Sequence, residues 1–158
     1  MSGIGHIGEL QIINEFEKKL KCEIYLPLKD KGIDFIAINS KSHNTYKIQV
    51  KTSMFQKNSY FWFDIKKNRI IKNSFFIFVC FTLNRQKFNN KKYNYFVIPS
   101  EIILKWIENE DVLFKKNSND IVNFFVYPPN EKCKNWLFKG KGKQIVLDEY
   151  FLDNKYFK

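Results

Sequence analysis

The chain reads as an α/β protein: one domain built on a mixed β-sheet flanked by helices, in the order α-β-β-β and later β-α. Three observations predict this. Residues 7–20 place apolar side chains at helical spacing. Residues 33–38, apolar but for Asp34, and residues 47–52, alternating polar with apolar, flank a polar loop at 39–44, the composition of a hairpin. Residues 75–83 are apolar on both faces over a strand's length, which suits a strand covered on both sides.

In chain order, Gly3 to Gly8 spell G-x-G-x-x-G, but a dinucleotide loop needs a strand before it, and only Met1 and Ser2 precede. The glycines are expected to form a flexible entry to a helix over about Ile7–Leu20. Leu10, Ile13, Phe16 and Leu20 make its apolar stripe and Ile12 widens it. A strand is expected over Cys22–Leu28, stopped by Pro27 and the polar turn at residues 29–32. In the hairpin, side chains alternate between faces. Asp34 therefore shares a face with Ile36 and Ile38, and Gln49 with Lys47 and Lys51. A loop centred between Lys41 and Ser42 puts Asp34 opposite Gln49, with Lys51 a diagonal neighbour. A carboxylate, an amide and an ammonium on one face of an apolar hairpin are costly to bury without purpose.

Tyr60–Ile65 and Tyr93–Ile98 read as further strands, separated by the apolar run at 75–83 and a polar, basic loop over Asn84–Lys92. Lys66, Lys67, Arg69 and Lys72 form a basic loop, a solvated surface or a phosphate contact. Pro99 and Ser100 start a helix over Glu101–Asn109, with Ser100 as N-cap. Beyond 110, Ile121–Tyr127 reads as a strand, Glu131–Phe138 as a short helix, and Lys139-Gly140-Lys141-Gly142-Lys143 as a basic turn able to grip a phosphate. Ile145–Leu152 packs an apolar edge on the domain. The core is expected over about 3–110, with 111–158 an extension on it.

Asp34, followed fifteen residues later by Gln49-Val50-Lys51, resembles the D…(D/E/Q)xK signature of the PD-(D/E)XK nuclease superfamily. That superfamily includes restriction endonucleases, Holliday-junction resolvases and an intron-encoded homing-endonuclease branch. The stretch GIDF…IQVKTS is most similar to branches with Gln where most members have Glu. A helix with a Gly-x-x-Gly-Glu start, here Gly5-His6-Ile7-Gly8-Glu9, belongs to the same pattern. The resemblance spans about residues 3–100. It implies a restriction-endonuclease-like core and a Mg²⁺-dependent DNA endonuclease, with Mn²⁺ able to substitute. It also implies roles: Asp34, Gln49, the Val50 backbone carbonyl and Glu9 at the metal, and Lys51 at the attacking water or the developing charge. Asp34 with Lys51 as a simple cross-strand ion pair, and Glu9 as a helix-dipole partner, are the structural alternatives. His6 lies one turn before Glu9, and Asp30 is another nearby carboxylate whose turn position favours solvation.

Composition sets the wider bounds. At 158 residues the chain is long enough for one real core. It carries 27 Lys and Arg against 16 Asp and Glu, a net charge of +11. Such a surface attracts polyanions, so nucleic acid is the expected partner. Lys66, Lys67, Arg69, Lys72, Lys139, Lys141 and Lys143 are the candidate contacts. The 17 Phe and the heavy use of Lys, Asn and Ile also match an AT-rich coding bias. Cys22, Cys80 and Cys133 form no C-x-x-C pair, so reduced thiols in a cytoplasm are expected. No signal peptide or bilayer-length apolar segment is read. His6 and His43 have no nucleophile at an elbow, and no Walker loop exists, so a nucleotide cofactor is not expected. The competing functions are a DNA-binding module of the same fold that does not cut, and an RNA-acting protein. Cutting both strands with one site per chain favours a homodimer or a higher homo-oligomer.

Overall fold

The computed structural model of the chain describes residues 3–29, 31–55, 59–82, 91–109, 115–116, 120–140, 142–152 and 155–157. Asp30, Lys141 and most of the 84–92 loop lie outside these residues. Among the described residues the architecture is mixed α/β in one domain, with two five-stranded sheets and two α-helices. The elements are α1 (Gly3–Lys18), β1 (Cys22–Tyr25), β2 (Phe35–Asn39), β3 (Thr45–Met54), β4 (Phe61–Lys66), β5 (Ser74–Phe81) and β6 (Tyr93–Pro99). They continue as α2 (Ser100–Glu108), β7 (Lys115–Lys116), β8 (Ile121–Tyr127), β9 (Leu137–Lys139) and β10 (Gln144–Val146). Among the described residues no helix is long and apolar enough to cross a membrane.

The first sheet runs β1-β2-β3-β5-β6, antiparallel except for the parallel pair β3–β5. A parallel pair needs a crossover, and β4 provides it from the other sheet. That second sheet runs β10-β9-β8-β4, with β7 also on β8. The single sheet with helices on both faces is corrected accordingly. The helices do cover opposite faces, but a second sheet shares one face with α2. Tyr60–Ile65 is a strand, found at Phe61–Lys66, yet it pairs with β8 and not within the first sheet.

Two cores result, one on each face of the first sheet. Ile12 and Phe16 of α1 meet Phe35, Ala37, Ile48, Val50, Ile77 and Val79 on one side. On the other, Phe76, Phe78, Phe96 and Ile98 meet Phe63, Val122, Phe124, Trp136 and Phe138, with Ile103 and Ile107 of α2. Residues 121–147 thus supply three strands and part of the main core.

The helix begins at Gly3, not at Ile7, so the glycines are helical and not a loose entry. Its buried line is Gly8, Ile12 and Phe16, each one turn apart. Leu10, expected inward, lies about 200° round from Gly8 at ~100° per residue and is 53% exposed. Gly8 is where α1 lies closest to the sheet. A Cβ there would collide with the Thr52 hydroxyl and fall 2.9 Å from Thr52 Cβ. Overpacking by Gly8→Ala is therefore expected to cost about 1–3 kcal/mol, offset in part by the ~1 kcal/mol that Ala gains in a helix, for a net destabilisation of up to about 2 kcal/mol. Thermal melting should show the loss, and adding Thr52→Ala should recover most of it. Additive melting shifts in that pair would mean the two residues do not meet.

At the other end of the sheet, α2 anchors the start of β5. Glu101 Oε1 accepts the Asn73 N–H at 2.7 Å, and Ser100 Oγ accepts the Ser74 N–H at 3.2 Å. Pro99, not Ser100, occupies the N-cap, because Ser100 is buried and committed to this strand contact. The Asn73 hydrogen bond, foremost, lowers the Glu101 pKa. A lowered carboxyl pKa gives stability that is present above its unfolded value and lost as pH falls through the folded one. Wild-type melting should therefore fall more between about pH 5 and pH 3 than that of Glu101→Gln. Parallel profiles would remove this contribution. The expected helix over Glu131–Phe138 is absent. Asn130 Oδ1 instead turns the chain by accepting the N–H groups of Lys132 and Cys133, and Leu137 enters β9. The cysteines carry no disulfide, and burial pushes the Cys80 thiol well up.

Candidate functional site

The β2–β3 hairpin has the register expected of it: Phe35 pairs with Ile48 and Ile38 with Thr45. Asn39 sets the turn. Its Oδ1 accepts the N–H groups of Lys41 and Ser42 at 2.9 Å each, an Asx turn that lets His43 take a left-handed φ of 61°. His43 is a turn residue at the far end of the hairpin from Asp34.

Asp34 stands one position before β2, where the paired ladder ends at Phe35 and Ile48. Its backbone is fixed by an N–H bond of 2.9 Å to the Ile48 carbonyl. Its carboxylate Oδ2 accepts the Val50 N–H at 2.6 Å. The side chain thus takes the place of the next residue of β2 and turns its charge toward the middle of β3. Gly32 makes this entry possible, with a φ of +89° and a position where a Cβ would lie 3.2 Å from the Arg69 carbonyl.

Asp34, Gln49, Val50 and Lys51 line one cleft of about 430 Å³, and Glu9 of α1 reaches it too. Gly8, seated on Thr52, carries Glu9 there. From the basic loop, Lys66 and Arg69 line the same cleft. Lys67 sits between them in a single 3₁₀ turn, and Lys72 in the turn before β5. Lys139 and Lys143 flank the β9–β10 turn and are not part of the cleft. His6 Nδ1 lies 4.0 Å from Glu9 Oε2, on the outer side of α1.

The structure adds Asp64, which sequence reasoning passed over. It projects from the solvent side of β4 into the cleft, and its Oδ1 accepts the Trp62 Nε1–H at 2.8 Å. Its place in the alternating run Phe61–Lys66 marks an outward residue. Nothing in the sequence shows that this outward side adjoins the hairpin. The join is made by the Trp62 N–H, which donates to Ser53 Oγ on β3 at 3.0 Å.

The cleft therefore brings three carboxylates, Glu9, Asp34 and Asp64, to three cations, Lys51, Lys66 and Arg69. In a chain of net charge +11, acids and bases are here equal in number. Among the described residues, no three of His, Cys, Asp and Glu form a metal-binding group on their own. A larger hollow of about 560 Å³ lies between α1 and β6, lined by Glu15, Lys19, Tyr93 and Tyr95 among others. Glu15 there is already bonded to Lys19 at 2.7 Å, and the hollow holds none of the predicted site residues. No family model matches the chain, and no curated protein matches it in sequence.

Proposed function

We propose that the chain is a Mg²⁺-dependent DNA endonuclease with the cleft at Asp34 as its active site. The observation that carries this reading is the shared cleft of Asp34, Gln49, Val50, Lys51 and Glu9, residues singled out by the D…QxK resemblance. The donor set suits a hard cation. Mg²⁺ takes one or two carboxylates with waters and substrate phosphate, and does not need an all-protein cage. The absence of a three-membered acidic or histidine group among the described residues is compatible with that mode. Asp34, the Gln49 amide oxygen and the Val50 carbonyl would hold the ion, with Glu9 or Asp64 at its edge.

When bound, such an ion neutralises phosphate charge and makes a water nucleophilic near neutral pH. The chain's own groups do the rest. Lys51 places a positive charge where the phosphate gains negative charge. Lys66 and Arg69 hold the flanking phosphates, and the Val50 N–H fixes the Asp34 carboxylate in orientation. Gln49 is neutral where a carboxylate is commoner, which lowers the charge at the ion and its affinity. The test is single-turnover incubation with duplex and branched DNA over a range of Mg²⁺ concentrations. Cleavage that depends on Mg²⁺ and stops with a chelator is the expected result. Salt-sensitive binding with no cleavage of any substrate would turn the reading to the non-cutting DNA-binding module.

A further inference from the structure

We propose that the outward face of the second sheet is a binding surface for single-stranded DNA, whose bases stack on an aromatic platform and whose backbone leads into the Asp34 cleft. Only the second clause rests on the proposed function.

Strand alternation creates the platform. In β4, Phe61, Phe63 and Ile65 are buried, so Trp62 and Asp64 face outward. In β8, Val122, Phe124 and Val126 are buried, so Phe125 and Tyr127 share the outward face. Trp62 pairs directly with Phe125, with ring centroids 5.7 Å apart. Tyr60 closes the group, edge-on to Phe125 at 5.4 Å and 5.6 Å from Tyr127. A soluble sheet normally puts polar side chains on its wet face. Here four rings occupy it, and Trp62 is 46% exposed.

Charge identifies the occupant. Lys139, across from Phe125 on β9, sets its ammonium 4.3 Å over the Tyr127 ring, and Lys66 stands at the cleft end of β4. Aromatic rings interleaved with cations recognise unpaired bases on a phosphate backbone, because every base has a π-face and each step carries a charge. Paired DNA hides those faces within the duplex. The Trp62 indole is also held in orientation by Asp64 at 2.8 Å, so less ordering of that ring is needed on binding. Asp64 is at the same time a wall of the cleft. A strand stacked on Trp62 is therefore one side chain from Asp34 and Lys51, which favours substrates with a single-stranded branch beside a duplex.

The experiment measures binding of the full chain to labelled oligo(dT) of about 12 nucleotides, within the usual span of such sites, by fluorescence anisotropy with chelator present. Trp62→Ala should weaken binding about tenfold, Trp62→Phe should restore most of it, and affinity for blunt duplex should change less than twofold. Thermal melting verifies that each variant is folded. Equal losses for oligo(dT) and duplex, or no loss for either, would overturn the platform. So would a change in sedimentation with oligo(dT) binding intact, which would make the face a contact between two copies. Tighter binding of oligo(U) than of oligo(dT) would overturn the assignment to DNA. Wild-type protein that binds oligo(dT) through Trp62 but cuts nothing upholds the platform and removes the nuclease reading. Cleavage with Trp62-independent binding does the reverse.

Discussion

Asp34→Ala should abolish Mg²⁺-dependent cleavage while DNA binding stays largely intact. On the proposed reading, Asp34 is the one charged ligand that the hairpin itself provides, so its loss removes the cation's anchor. It also removes a negative charge from the path of the phosphates, which offsets any weakening of their hold. Lys51→Ala should lower single-turnover cleavage by about 10²–10³-fold, the usual effect of deleting one charge-stabilising group. Gln49→Glu separates the roles further. It adds a carboxylate to the ion and should keep activity while shifting the Mg²⁺ dependence to lower concentration. Asp64→Asn should weaken cleavage less than Asp34→Ala, since Asp64 stands on the other sheet and is bonded to Trp62. Asp34 also accepts the Val50 N–H, so melting must be recorded for each variant. A folded Asp34→Ala protein that cuts at the wild-type rate would remove the site.

The hairpin is well legible in the sequence and the second sheet poorly so, for a physical reason. Register between neighbouring strands is set locally. A loop centred between Lys41 and Ser42 gives the pairing of Phe35 with Ile48 that the structure has, and Asn39 holds that loop. This is why the sequence alone places Asp34, Gln49 and Lys51 together. The partner of β4 is a different matter. An amphipathic strand such as Phe61–Lys66 has the same pattern whichever sheet receives it, and its partner, β8, begins more than fifty residues later. Asp64 escapes sequence reasoning for that reason alone. The helix at Gly3–Gly8 is hidden because glycine disfavours helix intrinsically, while the close seat of Gly8 on Thr52 demands it. The absent helix at Glu131–Phe138 reflects Asn130 and its turn, together with the burial of Trp136 in the core.

Phe124→Ala should have the largest effect on stability of any single substitution in the second sheet. Phe124 is fully buried and stands between three elements. Its ring stacks on Phe78 of the first sheet at 4.8 Å and 4°, on Phe138 of β9 at 3.8 Å, and on Trp106 of α2 at 6.0 Å. Truncating a buried Phe to Ala costs about 3–5 kcal/mol, the transfer energy of the ring plus the cavity left behind. Against a total of roughly 5–15 kcal/mol for a domain, that is a large share. At about 2–4 °C per kcal/mol for a chain of this size, the melting temperature should fall by roughly 6–20 °C. Phe125→Ala, one residue on but facing outward, should cost far less, because its ring meets solvent and the neighbouring rings of the wet face. The contrast matters for function. Asp64, Lys66 and Ile121 reach the cleft only because β4 and β8 are pressed on the first sheet. On the proposed reading, Phe124→Ala should therefore bring cleavage down together with folded protein, at temperatures near its own melting, whereas Asp34→Ala should remove cleavage from a protein that stays folded. A Phe124→Ala variant melting within about 2 °C of wild type, less than 1 kcal/mol, would show that the sheets are not held together through this stack.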